Sequence, residues 1–96
     1  MSGQISAEGG RVRISGPVTF ATAAALGAAA EQYLGADVVV DLSAVTEVDS
    51  AALSLLFEWQ RTARRRQCAV SFCNLPASLT SLAELYGVTE LIPAGA

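Results

Sequence analysis

Across residues 4–14 polar and apolar side chains alternate on either side of Gly9-Gly10. A period of two interrupted by a glycine pair predicts two short antiparallel strands joined by a tight turn. Beyond Gly16-Pro17 the alternation gives way to an alanine-rich run, which predicts a helix opening near Thr19 or Thr22 and closing at Leu34-Gly35. Either hydroxyl suits a helix cap, and the glycine suits a stop. Residues 37–42 read Asp-Val-Val-Val-Asp-Leu, a β-branched run expected in the middle of a sheet. Residues 43–48 then read as a short loop. A third apolar strand is predicted over residues 69–73. Pro76 occupies a first-turn position of a last helix that ends before Gly87 and turns Leu79, Leu82, Ala83 and Tyr86 inward.

Between those last two strands lies the most regular segment of the chain, an amphipathic helix from Asp49 to about Arg66. On a helical wheel Ala52, Leu53, Leu55, Leu56, Phe57, Trp59 and Ala63 share one broad arc, which faces the core. The opposite arc collects Ser50, Ser54, Glu58, Arg61 and Arg65. This polar stripe is a candidate docking surface. Asp49 immediately precedes the helix, where a carboxylate accepts bonds from unsatisfied backbone N–H groups and meets the positive end of the helix dipole. Ser50, in the first turn, reads either as an ordinary small polar residue or as a hydroxyl recognised or phosphorylated by a partner; a phosphate there gains from the dipole and loses beside Glu47 and Asp49. Glu58 stands at helical spacing from Arg61 and suits an internal pair.

The element order is strand, strand, helix, strand, helix, strand, helix, so the later strands should run parallel through right-handed crossovers. Ninety-six residues suffice for one core, and residues 1–96 are read as a single domain. Hydrophobic residues make up 52% and charged residues 16%, which excludes disorder over most of the length. The longest nearly apolar stretch, residues 20–30, falls well short of the roughly 20 residues that span a bilayer. Met1-Ser2-Gly3-Gln4 lacks the features of a secretory signal, and a cytoplasmic location is expected.

The net charge of −3 argues against nucleic acid as a partner. No lysine is present, and Arg61, Arg64, Arg65 and Arg66 form the one cluster of cations, read first as a helix end that favours the dipole. Cys68 and Cys73 are placed in one strand an odd number of residues apart, so they point to opposite faces and do not pair; buried packing is expected for both. With no histidine, zinc patterns are missing. There is no Gly-Lys-Ser phosphate loop and no carboxylate pair beyond Glu47 and Asp49 that spacing singles out, so a docking protein is expected in place of an enzyme, with no cofactor.

Val38-Val39-Val40-Asp41-Leu42-Ser43, followed by Val48-Asp49-Ser50-Ala51-Ala52-Leu53 and the helix to Gln60, closely resembles the signature of STAS domains. The Gly16-Pro17-Val18-Thr19-Phe20 entry and the closing helix with its glycine stop extend the resemblance over almost the whole chain. It implies an α/β STAS fold: a mixed sheet of about four strands with an N-terminal hairpin and three main helices. Two subfamilies are similar. In anti-sigma factor antagonists the motif reads Asp-Ser-Ser-Gly-Leu and its second serine takes the phosphate, a position held here by Ala51. In the small STAS subunit of Mla-type phospholipid ABC transporters, the hydroxyl that engages the ATPase directly follows the aspartate, and Ser50 holds that position. The glycine common to both is Ala52 here.

The resemblance therefore implies a non-catalytic subunit that binds and stabilises or activates an ABC transporter ATPase, and reaches the inner face of the plasma membrane only through that complex. The partner-binding residues would be Asp49, Ser50, Ala51, Ser54, Arg61 and Arg65. The alternative is an anti-sigma factor antagonist that binds a kinase-type anti-sigma factor, with Ser50 the one motif hydroxyl left to be phosphorylated.

Overall fold

The Gly9-Gly10 pair folds back the chain. Both glycines hold positive φ, 56° and 79°, a backbone state that a two-residue hairpin turn demands and that side chains resist. The turn joins β1 (Gln4–Glu8) to β2 (Arg11–Val18) in antiparallel register, Ile5 opposite Ile14 and Ala7 opposite Val12. The structure, a computed structural model, describes residues 4–95. Met1-Ser2-Gly3, read above for a signal sequence, lie outside the described residues.

β2 runs four residues further than the alternation predicts. Gly16, with φ of 85°, sits between register shifts at Arg13/Ser15 and Gly16/Pro17. Such irregularities let a strand bend without ending. The extension has a partner: β3 spans Val38–Val48, so residues 43–48, expected as a loop, continue the strand. Ser15 pairs with Ala44, Gly16 with Val45 and Val18 with Val48. Val45 and Val48 pack partly against the core, and this burial, absent from a simple polar count, keeps the segment extended.

β4 (Val70–Cys73) pairs parallel to β3, giving sheet order β1-β2-β3-β4 with β3 inside, as expected of its valine run. This is the four-stranded mixed sheet with an N-terminal hairpin that the resemblance implies. Along β2, β3 and β4, one face carries Val12, Ile14, Val38, Val40, Leu42, Val70 and Phe72, all buried. The helices α1 (Ala23–Ala30), α2 (Ser50–Arg65) and α3 (Ala77–Leu85) close over that face. Leu26, Leu53, Leu56, Trp59, Leu79 and Ala83 complete a single core. None of the described helices is long and apolar enough to cross a membrane.

Several local expectations are revised. α1 begins at Ala23 and yields to a 3-10 turn over Glu31–Tyr33. Neither threonine caps it by its hydroxyl: Thr22 Oγ1 donates to the Pro17 carbonyl (2.8 Å) and accepts from Thr19 N–H (3.0 Å), tying down the preceding turn. Pro76 stands at the cap of α3, just before its first turn. Tyr86, expected to face inward, is 57% exposed because the helix has already ended. Phe57 is half-buried at the margin of the core arc. Cys73 is buried in β4; Cys68 precedes the strand, is half-buried, and points its thiol at the Arg66 carbonyl. Both cysteines are free.

At the outer edge of β4 the chain's last described residues add a rung. Phe72 N–H donates to the Pro93 carbonyl and Gly95 N–H to the Phe72 carbonyl, making an isolated parallel bridge with Ala94. A Cβ on Gly95 would stand 2.6 Å from Ser71 Oγ and 2.9 Å from Val39 Cγ1, so any larger residue there would force those side chains to move.

The face of the sheet away from the helices holds Asp41, 7% exposed. Its Oδ1 accepts from Ser43 N–H (2.9 Å) and Asn74 Nδ2 (3.1 Å), while Arg13 and Arg11 stand 3.8 and 3.9 Å from Oδ2. The backbone bond from Ser43, then that from Asn74, hold its pKa down to about 2, because each favours the ionised form. A carboxyl whose pKa is lowered by folding contributes stability above its unfolded value and loses it as pH falls toward the folded one. The contribution is about 2 kcal/mol from a drop of 3.8 to about 2 at about 1.4 kcal/mol per unit. Urea unfolding followed from pH 6 to pH 2 should show a loss of that size below about pH 4, and Asp41→Asn should be less stable at pH 6 with a flatter acid limb.

Candidate functional site

α2 starts where the sequence places it because Asp49 is built to stop a strand and open a helix. Its backbone is extended (φ −137°, ψ −169°), as a cap residue requires. Its Oδ1 accepts from Ala51 N–H at 2.8 Å. Its Oδ2 does something that the local sequence does not reveal: it accepts from Phe20 N–H at 3.1 Å, across 29 residues. One carboxylate thus joins the entry of α1 to the first turn of α2.

At the other end Arg66 Nη1 donates to the Glu31 carbonyl at 2.7 Å. Midway, the two helices nearly touch: a Cβ on Gly27 would lie 3.3 Å from Leu55 Cδ1. Because β2, β3 and β4 are parallel, α1 and α2 run side by side in the same direction. The result is a surface groove of about 480 Å³ between them, with small residues for walls and Trp59 in its floor. Trp59 is 2% exposed, and its indole Nε1 has no hydrogen-bond partner among the described residues. Phe20 stands at the mouth beside Asp49, 77% exposed.

The predicted site residues divide around this groove. Ser50 is half-exposed in the first turn of α2, next to the cap. Ala51, expected to offer surface, is only 6% exposed: it forms floor, and its N–H is taken by Asp49. Ser54 and Glu58 are exposed and line the groove. Arg61 and Arg65 are exposed but lie outside it. Arg61 Nη2 pairs with Glu58 Oε2 at 2.8 Å, the internal ion pair expected from spacing, and Arg65 Nη2 reaches Thr62 Oγ1 at 3.2 Å. Of the arginine cluster, Arg61 and Arg65 are thus turned back on their own helix and Arg66 reaches the end of α1, with Arg64 and Arg65 in the last turn where cations favour the dipole. Sequence reasoning missed Phe20 and the α1 wall, although a stretch of alanine broken by Gly27 is the composition that lets helices approach closely.

The arrangement offers a helix start, a hydroxyl, an exposed aromatic and a small-walled groove. The family model described as "Mlab, STAS domain" matches residues 1–93, and the chain belongs to that family. Among solved structures it resembles the anti-sigma factor antagonist SpoIIAA in its unphosphorylated form, with a TM-score of 0.69 and 11% identity over 96% of this chain and 84% of that one. It also resembles an anti-sigma-factor antagonist (STAS) domain protein from Planctomyces limnophilus, with a TM-score of 0.74 and 14% identity over 98% and 89% of the two chains. These likenesses show the fold. No curated protein matches the sequence.

Asp49→Ala removes both a helix cap and the bond to α1. It should cost about 1–2 kcal/mol in urea unfolding, near the upper end for a cap. Asp49→Asn keeps a capping oxygen and should lose clearly less.

Proposed function

We propose that the protein is the small STAS subunit of a Mla-like phospholipid ABC transporter, and that it docks on the ATPase subunit through the Ser50 end of α2. The observation that carries this reading is membership of the Mlab, STAS domain family over residues 1–93. The geometry supports it. α2 is a 16-residue helix whose first turn presents a half-exposed hydroxyl beside a fixed cap, and its start carries about half a unit of positive charge from the aligned peptide dipoles. A partner's acceptor group placed there finds a donor hydroxyl and a favourable field. Phe20, held next to Asp49 through its own backbone N–H, adds exposed apolar area to the same spot.

Docking asks for no chemistry from the subunit, which acts by holding the ATPase in its working shape. On this reading it works in the cytoplasm and meets the membrane through the transporter alone. The buried position of Ala51 bears on the antagonist alternative: the place where antagonists carry their phosphorylated serine is here a floor residue without a hydroxyl.

Ser50→Arg puts a long cation at the positive end of the helix and into the contact. The variant should fold with an unchanged circular dichroism spectrum and melting temperature, yet fail to co-purify with the ATPase. Full retention of the ATPase by the folded variant removes Ser50 from the interface. Co-purification of the unmodified chain with a kinase-type anti-sigma factor, together with a gain of one phosphate at Ser50 by intact mass, replaces the transporter reading.

A further inference from the structure

The groove between α1 and α2 changes character along its length. Phe20 marks one end, near the cap of α2; Glu31 and Glu58 mark the other; small residues lie between. Between Phe20 and Glu31 run the eight residues of α1, Ala23–Ala30, about 12 Å of helix at 1.5 Å per residue. That is room for about two turns of another helix laid along it. Walls made of Ala24, Gly27 and Ala28 leave a depression that a protruding side chain from such a helix fills, as ridges fill grooves elsewhere.

The acidic end sets the charge of what fits. The Glu31 side chain is exposed, and among the described residues no cation lies within ion-pair distance of its carboxylate. Arg66, the cation beside it, bonds the Glu31 backbone carbonyl. Glu58 is held by Arg61 on the solvent side in an exposed pair, 59% and 60% accessible, which a better-placed partner cation displaces at little cost. A second copy of the chain is a poor occupant. Among the described residues its exposed large apolar side chains other than Phe20 are Leu85, Tyr86 and Leu91, and these have Glu84 and Glu90 as their neighbours, which would bring like charge to an acidic rim.

We infer that the groove receives a helix of the ATPase subunit, which sets one aliphatic side chain against Ala24, Ala28 and Leu55 and a lysine or arginine against Glu31 and Glu58. The inference rests on the docking reading and extends the contact from the start of α2 along its whole flank. Trp59 in the floor then stiffens the seat against the sheet, and Phe20 closes over the end of the incoming helix.

The test uses the full chain co-expressed with the ATPase, in the variants A28W, which fills the depression from an exposed position, and E31K/E58K, which inverts the rim. A photo-crosslinking phenylalanine at Ala24 provides a readout independent of affinity. Each variant should melt within a few degrees of the unmodified protein while capturing at least tenfold less ATPase, and the cross-link should map to an ATPase helix with an aliphatic residue one turn from a lysine or arginine. Undiminished capture by A28W and by E31K/E58K, with capture lost in S50R, overturns the groove assignment and leaves the docking reading standing. A cross-linked product of two copies of this chain also overturns it. No capture by the unmodified protein overturns both.

Discussion

A single carboxylate sets the geometry on which the exposed surface depends. Asp49 ends β3, caps α2 and holds the backbone of Phe20, so the chain entering α1 and the chain entering α2 share one anchor. A cap alone fixes where a helix begins. A cap with a second bond to a neighbouring segment also fixes where that helix begins relative to another. The bond is made from a backbone N–H, so the identity of residue 20 is free to serve the surface, and it carries an aromatic ring in solvent.

The same economy operates on the two faces of the sheet. The helix-bearing face is closed by ordinary apolar packing around Trp59 and Phe72. The opposite face is organised by Asp41, whose backbone and side-chain donors stabilise its charge where burial alone would suppress it. Asn74, with a φ of 56° just past β4, belongs to that cluster. Its conformation is uncommon for a side chain other than glycine and is offset by the bond that it makes to Asp41.

The sequence made the order of elements, the parallel connections and the start of α2 readable, because each is carried by local signals: a glycine pair, a valine run, an aspartate before a periodic segment. It also carried enough of a motif to point to the STAS fold. The boundaries that went astray share a cause in pairing between distant residues. Residues 43–48 look like a loop until Ser15–Val18 are seen to bulge and follow them. Thr22 looks like a cap until Pro17 offers its carbonyl. Of the site, Asp49, Ser50 and the Glu58–Arg61 pair were legible by spacing along one helix. Phe20 and the α1 wall were not, since nothing local to them announces a neighbour 29 residues away.

The rung that Pro93–Gly95 add beside Phe72 has a consequence for how the molecule behaves in a crowd. Open sheets polymerise when both margins offer free peptide groups, each copy templating the next. Here the β4 margin is occupied at Phe72 by the chain itself, which leaves β1 as the margin without a strand partner among the described residues. The rung therefore covers part of the β4 margin and blunts it, at Phe72, against pairing with a strand of another molecule.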